Sequence, residues 1–183
     1  MDHAILTALG TDRPGIVDEL SQFIFDRGGN IEDSRMVNLR GQFAMMVLVG
    51  GKADVIARIG KDVPEFAKRS GLNAELRPAA AERPKGAGGG GSGATESLPY
   101  RLIGTGIDQP GLVHRLAHLL REQNVNIESL ETRLTPAPYT GSPLFELEAL
   151  LSVPRTTSLS GLRQKLGAAC DEVNMDWDLR TAS

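Results

Sequence analysis

The sequence predicts an α+β protein built from two βαββαβ units in tandem, each an antiparallel sheet with both helices on one face. Three observations predict it. Gly10-Thr11-Asp12-Arg13-Pro14-Gly15-Ile16-Val17 returns as Gly106-Ile107-Asp108-Gln109-Pro110-Gly111-Leu112-Val113, and Asn30-Ile31-Glu32 returns in the same register as Asn126-Ile127-Glu128. Two copies at so long a period mean two homologous domains rather than a solenoid. Within each copy, strand-like and helix-like apolar periods follow the order strand, helix, strand, strand, helix, strand. Between the copies lies a stretch rich in Gly, Ala, Pro and Ser that has neither period.

The first unit takes residues 1–77. His3–Leu9 reads as a strand with Ile5 and Leu9 on one face and Ala4, Leu6 and Ala8 on the other. The following helix carries Ile16, Val17, Leu20, Phe23 and Ile24 on one stripe, with Asp18, Glu19, Gln22 and Asp26 outside. Gly28-Gly29 ends it, where the chain must take positive φ. Ile31–Leu39 is the second strand, Arg40-Gly41 the turn and Phe43–Val49 the third strand. A second helix starts near Ala53, with Ile56, Ile59, Val63 and Phe66 facing in and Pro64 expected to kink or divide it. Ala74–Arg77 closes the unit. This order is the split βαβ, or ferredoxin-like, arrangement. Right-handed crossovers put the first and third strands at the sheet centre. Both are apolar on both faces, and helices cover only one. Ala44, Met46 and Leu48 therefore predict an exposed patch of the kind that marks an interface.

Residues 78–98, with Gly88–Ser92 at their centre, read as a flexible tether. The second unit takes residues 99–183. Pro99–Ile107 repeats the first strand. Leu112, Val113, Leu116, Leu119 and Leu120 repeat the helix stripe, with Asn124 as its left-handed stop. Asn126–Leu134 is the second strand and Thr135–Pro143 a Pro-rich loop. Leu144–Val153, Thr157–Glu172 and Asn174–Arg180 are the third strand, second helix and last strand. Glu146 and Glu148 make this unit's open face the more polar of the two.

Charge and cysteine content narrow the function. Twenty Lys and Arg against 23 Asp and Glu give a formal charge of −3 with no basic cluster. Direct nucleic-acid binding is disfavoured, since it needs a concentrated positive surface. The single cysteine, Cys170, excludes an internal disulfide framework and fits a reducing compartment. It falls on the stripe Leu159, Leu162, Leu166, Val173 and reads as core. The longest wholly apolar run, Phe43–Val49, is too short to span a bilayer. A soluble, cytoplasmic protein without a membrane role is expected. His114 and His118 stand at i, i+4, but with no third ligand nearby no metal is expected. There is no clustered catalytic set, phosphate loop or nucleophile elbow, so an enzyme is disfavoured and no cofactor is expected.

The repeated motif reads as strand end, tight turn and helix start. Asp12 is a preferred N-cap type whose carboxylate could accept from the Gly15 amide, and Pro14 suits the first helical turn. Gly15 would leave the helix-end amides uncovered. With the positive end of the helix dipole, they would favour an anion such as a carboxylate. The alternative is a well-capped helix start with no ligand.

Asp-x-Pro-Gly-[Ile/Leu] after the first strand and Asn-Ile at the second, within a βαββαβ unit, resemble the ACT domain. Two such units with no catalytic domain resemble the glycine cleavage system transcriptional repressor group. The resemblance implies a small amino acid ligand, glycine or serine, bound where domains pair. It implicates Gly10, Asp12, Pro14, Gly15, Ile16 and Asn30, and in the second repeat Gly106, Asp108, Pro110, Gly111, Leu112 and Asn126. It further implies a regulatory, non-enzymatic protein that forms a homo-oligomer and acts through a protein partner. The competing expectation is a constitutive interaction subunit that binds no metabolite. The change from Arg13 to Gln109 would let the two sites differ in affinity.

Overall fold

Alternation in the first strand is strict, and the fold uses it. β1 (Asp2–Thr11) buries Ala4, Leu6 and Ala8 and leaves Ile5, Thr7 and Leu9 on the other side. The computed structural model describes residues 1–80, 96–137 and 142–182, and the chain divides into two compact units, Met1–Glu82 and Arg83–Ser183.

In the first unit, β1 is followed by α1 (Ile16–Phe25), β2 (Asn30–Leu39), β3 (Gln42–Gly51), α2 (Ala53–Ser70) and β4 (Asn73–Pro78). The strands pair antiparallel in the order β2-β3-β1-β4, with β1 and β3 central as expected. Phe43, Met45, Val47 and Val49 of β3 join Leu6 and Ala8 under Ile16, Leu20, Phe23 and Ile24 of α1 and Ile59, Val63 and Phe66 of α2. Phe23 and Phe66 stack at 4.4 Å, tying the two helices together. The Arg27 guanidinium lies 4.0 Å over the Phe23 ring and donates to Asp62 at 2.9 Å.

The turns follow their residue types. Gly28 (φ 80°) ends α1, with the Gly28 amide on the Phe25 carbonyl and the Gly29 amide on that of Ile24. This is a Schellman closure. Arg40 and Gly41 both take positive φ, which suits the twist of a two-residue hairpin.

Two expectations need correction here. Pro64 does not divide α2, which runs from Ala53 to Ser70 without interruption. About three turns of helix on its N-terminal side and a buried Val63 and Phe66 hold the helix across the lost hydrogen bond. Val17 is exposed rather than part of the buried stripe, because the sheet contacts a narrower arc of so short a helix. β2 is exposed at all ten positions, since the helices cover the sheet centre and leave this edge strand uncovered on both faces.

The second unit repeats the plan with β5 (Ser97–Ile107), α3 (Leu112–Glu122), β6 (Asn126–Pro136), β7 (Pro143–Pro154), α4 (Leu159–Asp171) and β8 (Met175–Thr181). Its strand order is β6-β7-β5-β8. Its separate core includes Leu102, Leu116, Leu120, Leu151, Leu162 and Leu166. Asn124 takes φ 55°, as expected of the stop after α3. Ser158 caps α4, accepting from the Gly161 amide at 3.2 Å. The Pro-rich stretch read as a loop from Thr135 is partly strand: Thr135 pairs with Leu144 and Pro136 with Pro143.

Strand pairing also reaches into the segment read as a tether. Pro78 ends β4, and Ser97 and Leu98 open β5. The centre of that segment, 81–95, lies outside the described residues. Among the described residues, no helix is long and apolar enough to cross a membrane.

Candidate functional site

The repeated motif occupies the same place in both units, where the first strand hands over to the first helix. Gly15 (φ 90°) and Gly111 (φ 93°) are the N-cap residues of α1 and α3, and neither helix has a side-chain cap. This corrects the expected role of Asp12. Its backbone amide bonds the Gly41 carbonyl at 2.9 Å, and its carboxylate accepts from the Asn38 carboxamide at 2.5 Å. Pro14 likewise precedes the helix instead of opening it. With the Asp drawn to the β2–β3 hairpin, the first amides of α1 have no side-chain cap.

The two repeated glycines have distinct structural reasons. A Cβ on Gly10 would come within 2.7 Å of Leu72, and one on Gly106 within 3.2 Å of the Asn174 carbonyl and the Met175 Cα. Those positions are held by close approach of the last strand. Gly15 and Gly111 have open space around them, so their positive φ is what calls for glycine.

Arg13 and Gln109 also prove equivalent in use. Arg13 donates to the Ser70 carbonyl at 3.1 Å and Gln109 to the Val173 carbonyl at 3.0 Å. Both acceptors lie where the second helix of their unit ends, Ser70 as the last residue of α2 and Val173 just past α4. The two side chains thus tie the motif loop to the same place, with or without charge. Arg13 additionally grips Glu19 through two bonds of 2.6 and 2.8 Å. That pairing holds the Glu19 carboxyl below its ordinary range and raises the Arg13 guanidinium. Arg13→Gln should therefore melt close to wild type, whereas Arg13→Ala should melt lower. Equal losses in thermal denaturation would contradict a shared tie.

Electrostatics separate the two helix starts. The first turn of α1 carries Asp18 and Glu19, while that of α3 carries no acid. The residue aligned with Glu19 is Arg115, which pairs loosely with Glu172 at 3.5 Å. An anion meets a more favourable field at Gly111 than at Gly15. Aligning the repeats residue by residue carries this signal, which motif matching passed over.

Asn30 and Asn126 open β2 and β6, immediately before a β-bulge: the register shifts at Glu32 in one strand and at Glu128 in the other. The Asn-Ile-Glu repeat is thus the signature of a bulge, which bends the strand start. Glu32 turns over Gly50 to reach His3 at 3.1 Å, and Glu128 accepts from Asn126 at 2.7 Å. Among the described residues the Asn30 carboxamide has no partner. It lines an open groove of about 350 Å³ with Ser21, Gln22, Phe25 and Ile31.

The fold does not bring Asn30 to Gly15. Register places Asn30 opposite Gly50 and His3, at the beginning of β1, whereas the motif follows Thr11 at its end. Eight residues at ~3.3 Å each put these ends roughly 25 Å apart. The same holds for Asn126 and Gly111. Element order alone carries this, because α1 returns the chain to the far end of the sheet before β2 begins.

Two other candidates have defined surroundings. Cys170 is buried in the core, and burial pushes its thiol up to about 11, which suits packing rather than nucleophilic attack. The His114 and His118 rings lie 6.0 Å apart, and His118 contacts Glu122 and Arg121. The described residues contain no cluster of three or more metal-ligating side chains.

The pattern of the ACT domain family matches residues 2–77. The first unit belongs to the ACT domain family. The glycine cleavage system transcriptional repressor of Escherichia coli is 28% identical over 173 residues, covering 94% of this chain and 86% of that protein. A crystal structure of an unknown protein from Galdieria sulphuraria superposes with a TM-score of 0.79 at 27% identity, covering 100% of this chain and 99% of the other. A candidate glycine cleavage system transcriptional repressor of known structure gives 0.69 at 20% identity, covering 100% and 98%. A tandem ACT-like fold thus extends over the whole chain, and the chain is related to a regulatory protein.

Proposed function

We propose that this ACT-domain protein is a non-enzymatic sensor of a small amino acid, which acts through a protein partner in transcriptional control of glycine or one-carbon metabolism. The observation that carries the reading is the pair of uncapped helix starts at Gly15 and Gly111, held by glycines in the same left-handed geometry. Such amides, at the positive end of a helix, suit a carboxylate. The similarity to the E. coli repressor over both units supports a regulatory role. With a net charge of −3 and no basic cluster, contact with a promoter falls to the partner.

The ligand carboxylate is assigned to the amides around Gly111 first, since Arg115 stands there in place of Glu19. Pro110 and Leu112 flank that site, as Pro14 and Ile16 flank Gly15. An asparagine that reads the ammonium group, Asn30 or Asn126, does not come from the unit whose helix start holds the carboxylate, because each lies far from its own unit's loop.

A melting series with an amino-acid panel that includes glycine and serine tests this reading. At about 100 times its dissociation constant, a ligand adds roughly 2.7 kcal/mol per site. Arg115→Glu installs the charge that the first unit already tolerates, so it should weaken the shift and leave the fold intact. Asn30→Ala with Asn126→Ala should do the same. A shift that survives both sets places the site elsewhere.

The second reading, a constitutive interaction subunit, is favoured by one observation. Gly10, Asp12, Gly15 and Arg13 all have structural roles that need no ligand. A panel that moves no melting temperature would favour it.

A further inference from the structure

The first unit has one sheet face that its own helices leave uncovered, and backbone register lays that face out in rows across β2, β3, β1 and β4. One row reads Asp33, Leu48, Ile5, Arg77. The next reads Arg35, Met46, Thr7, Glu75, and a third Val37, Ala44, Leu9, Asn73. The centre is apolar, with Met46 55%, Val37 53% and Leu9 52% exposed. The two edges carry opposite charges in opposite order: acid then base along β2, and base then acid along β4 at the same levels.

We propose that this face is a self-association surface, closed by the same face of a second copy about a two-fold axis that runs along the strands. Rotation about that axis exchanges the two ends of every row and keeps the level. Asp33 then meets Arg77 of the second copy, and Arg35 meets its Glu75. In the centre Leu48 meets Ile5, Met46 meets Thr7 and Leu9 meets Ala44, so bulky residues fall on small ones or on branched aliphatics. A two-fold axis across the strands at the Met46 level would instead set Arg35 against Arg35 and Glu75 against Glu75 of the second copy. The aligned stacking of two sheets is the ordinary geometry for twisted sheets of this kind. An interface of this type is isologous, so each edge pair occurs twice.

The equivalent face of the second unit lacks the apolar centre. Its rows run Glu131, Glu148, Ile103, Asp178 and Arg133, Glu146, Thr105, Asp176. A like-on-like stack there would set acid against acid in its first row. Self-association is therefore assigned to the first unit. It is independent of ligand binding, since a rotation that keeps the level brings neither Asn30 to Gly15 nor one helix start to another.

Charge exchange tests the geometry as well as the surface. Within the chain, Arg35 already pairs with Asp33 at 2.5 Å and Arg77 with Glu75 at 2.9 Å. The double variant Arg35→Glu with Glu75→Arg destroys both of those local pairs. It nonetheless makes the β2 edge wholly acidic and the β4 edge wholly basic, so every pair across the proposed interface remains attractive. In sedimentation equilibrium of the full chain, wild type should be a reversible dimer. Either single variant should weaken it about tenfold, since two pairs per dimer turn repulsive. The double variant should return to wild-type affinity or better. Met46→Asp, at an exposed site, should give a monomer with an unchanged circular dichroism spectrum. A monomeric wild type, a dimer that survives Met46→Asp, or a double variant as weak as the two single losses combined would each overturn the proposal.

Discussion

Phe43→Ala should remove most of the stability of the first unit. Phe43 is 1% exposed and is among the largest fully buried side chains. It lies on β3 directly opposite Gly10 and next to Asn38, so its ring fills the core beneath the motif loop. Deleting a buried phenylalanine costs about 3–5 kcal/mol in lost burial and residual cavity. Domains are stable by only about 5–15 kcal/mol, and a unit of this size lies near the lower end. The melting temperature of the first unit should fall on the order of 20 °C. Calorimetry reads this directly. A fall of only a few degrees would mean that the core under the loop closes without Phe43.

Valine at Gly15 or at Gly111 should be the next most damaging change, for a reason that has nothing to do with space. A Cβ on Gly15 would find only the Glu19 carboxylate, at 4.0 Å, and one on Gly111 would find nothing within 4 Å. The cost comes from the backbone, since φ of 90° and 93° is a region that β-branched residues avoid. Holding valine there should cost about 1–3 kcal/mol. Asparagine should be far cheaper. This chain already places Asn124 and Asn174 at φ 55° and 50°. Denaturant melts of the valine and asparagine variants make the comparison. Equal losses for the two residues would show that contact, not conformation, selects glycine here.

What the sequence by itself determined was everything written in short-range pattern. The duplication, the order of the twelve elements among the described residues, the buried side of each central strand and the glycine and asparagine stops all follow from spacing along the chain. A strand alternates by two and a helix repeats by 3.6, so a side chain's face is readable from its neighbours. The unequal open faces were legible for the same reason, because Met46 and Glu146 stand on the same side of equivalent strands.

Tertiary structure alone decided what the repeated motif residues touch. Asp12 is drawn to Asn38, 26 positions away in sequence, and so gives up the helix start that its residue type suggests. Arg13 and Gln109 look dissimilar in sequence but reach equivalent carbonyls, because only the tertiary fold brings the end of the second helix near the motif loop. Pro64 stays within one helix because the core beneath it outweighs a local preference. Gly15 and Asn30 share a motif and yet lie at opposite ends of the sheet. Contacts of that kind depend on which strands pair and in what register, a long-range choice settled by burying two helices on one face.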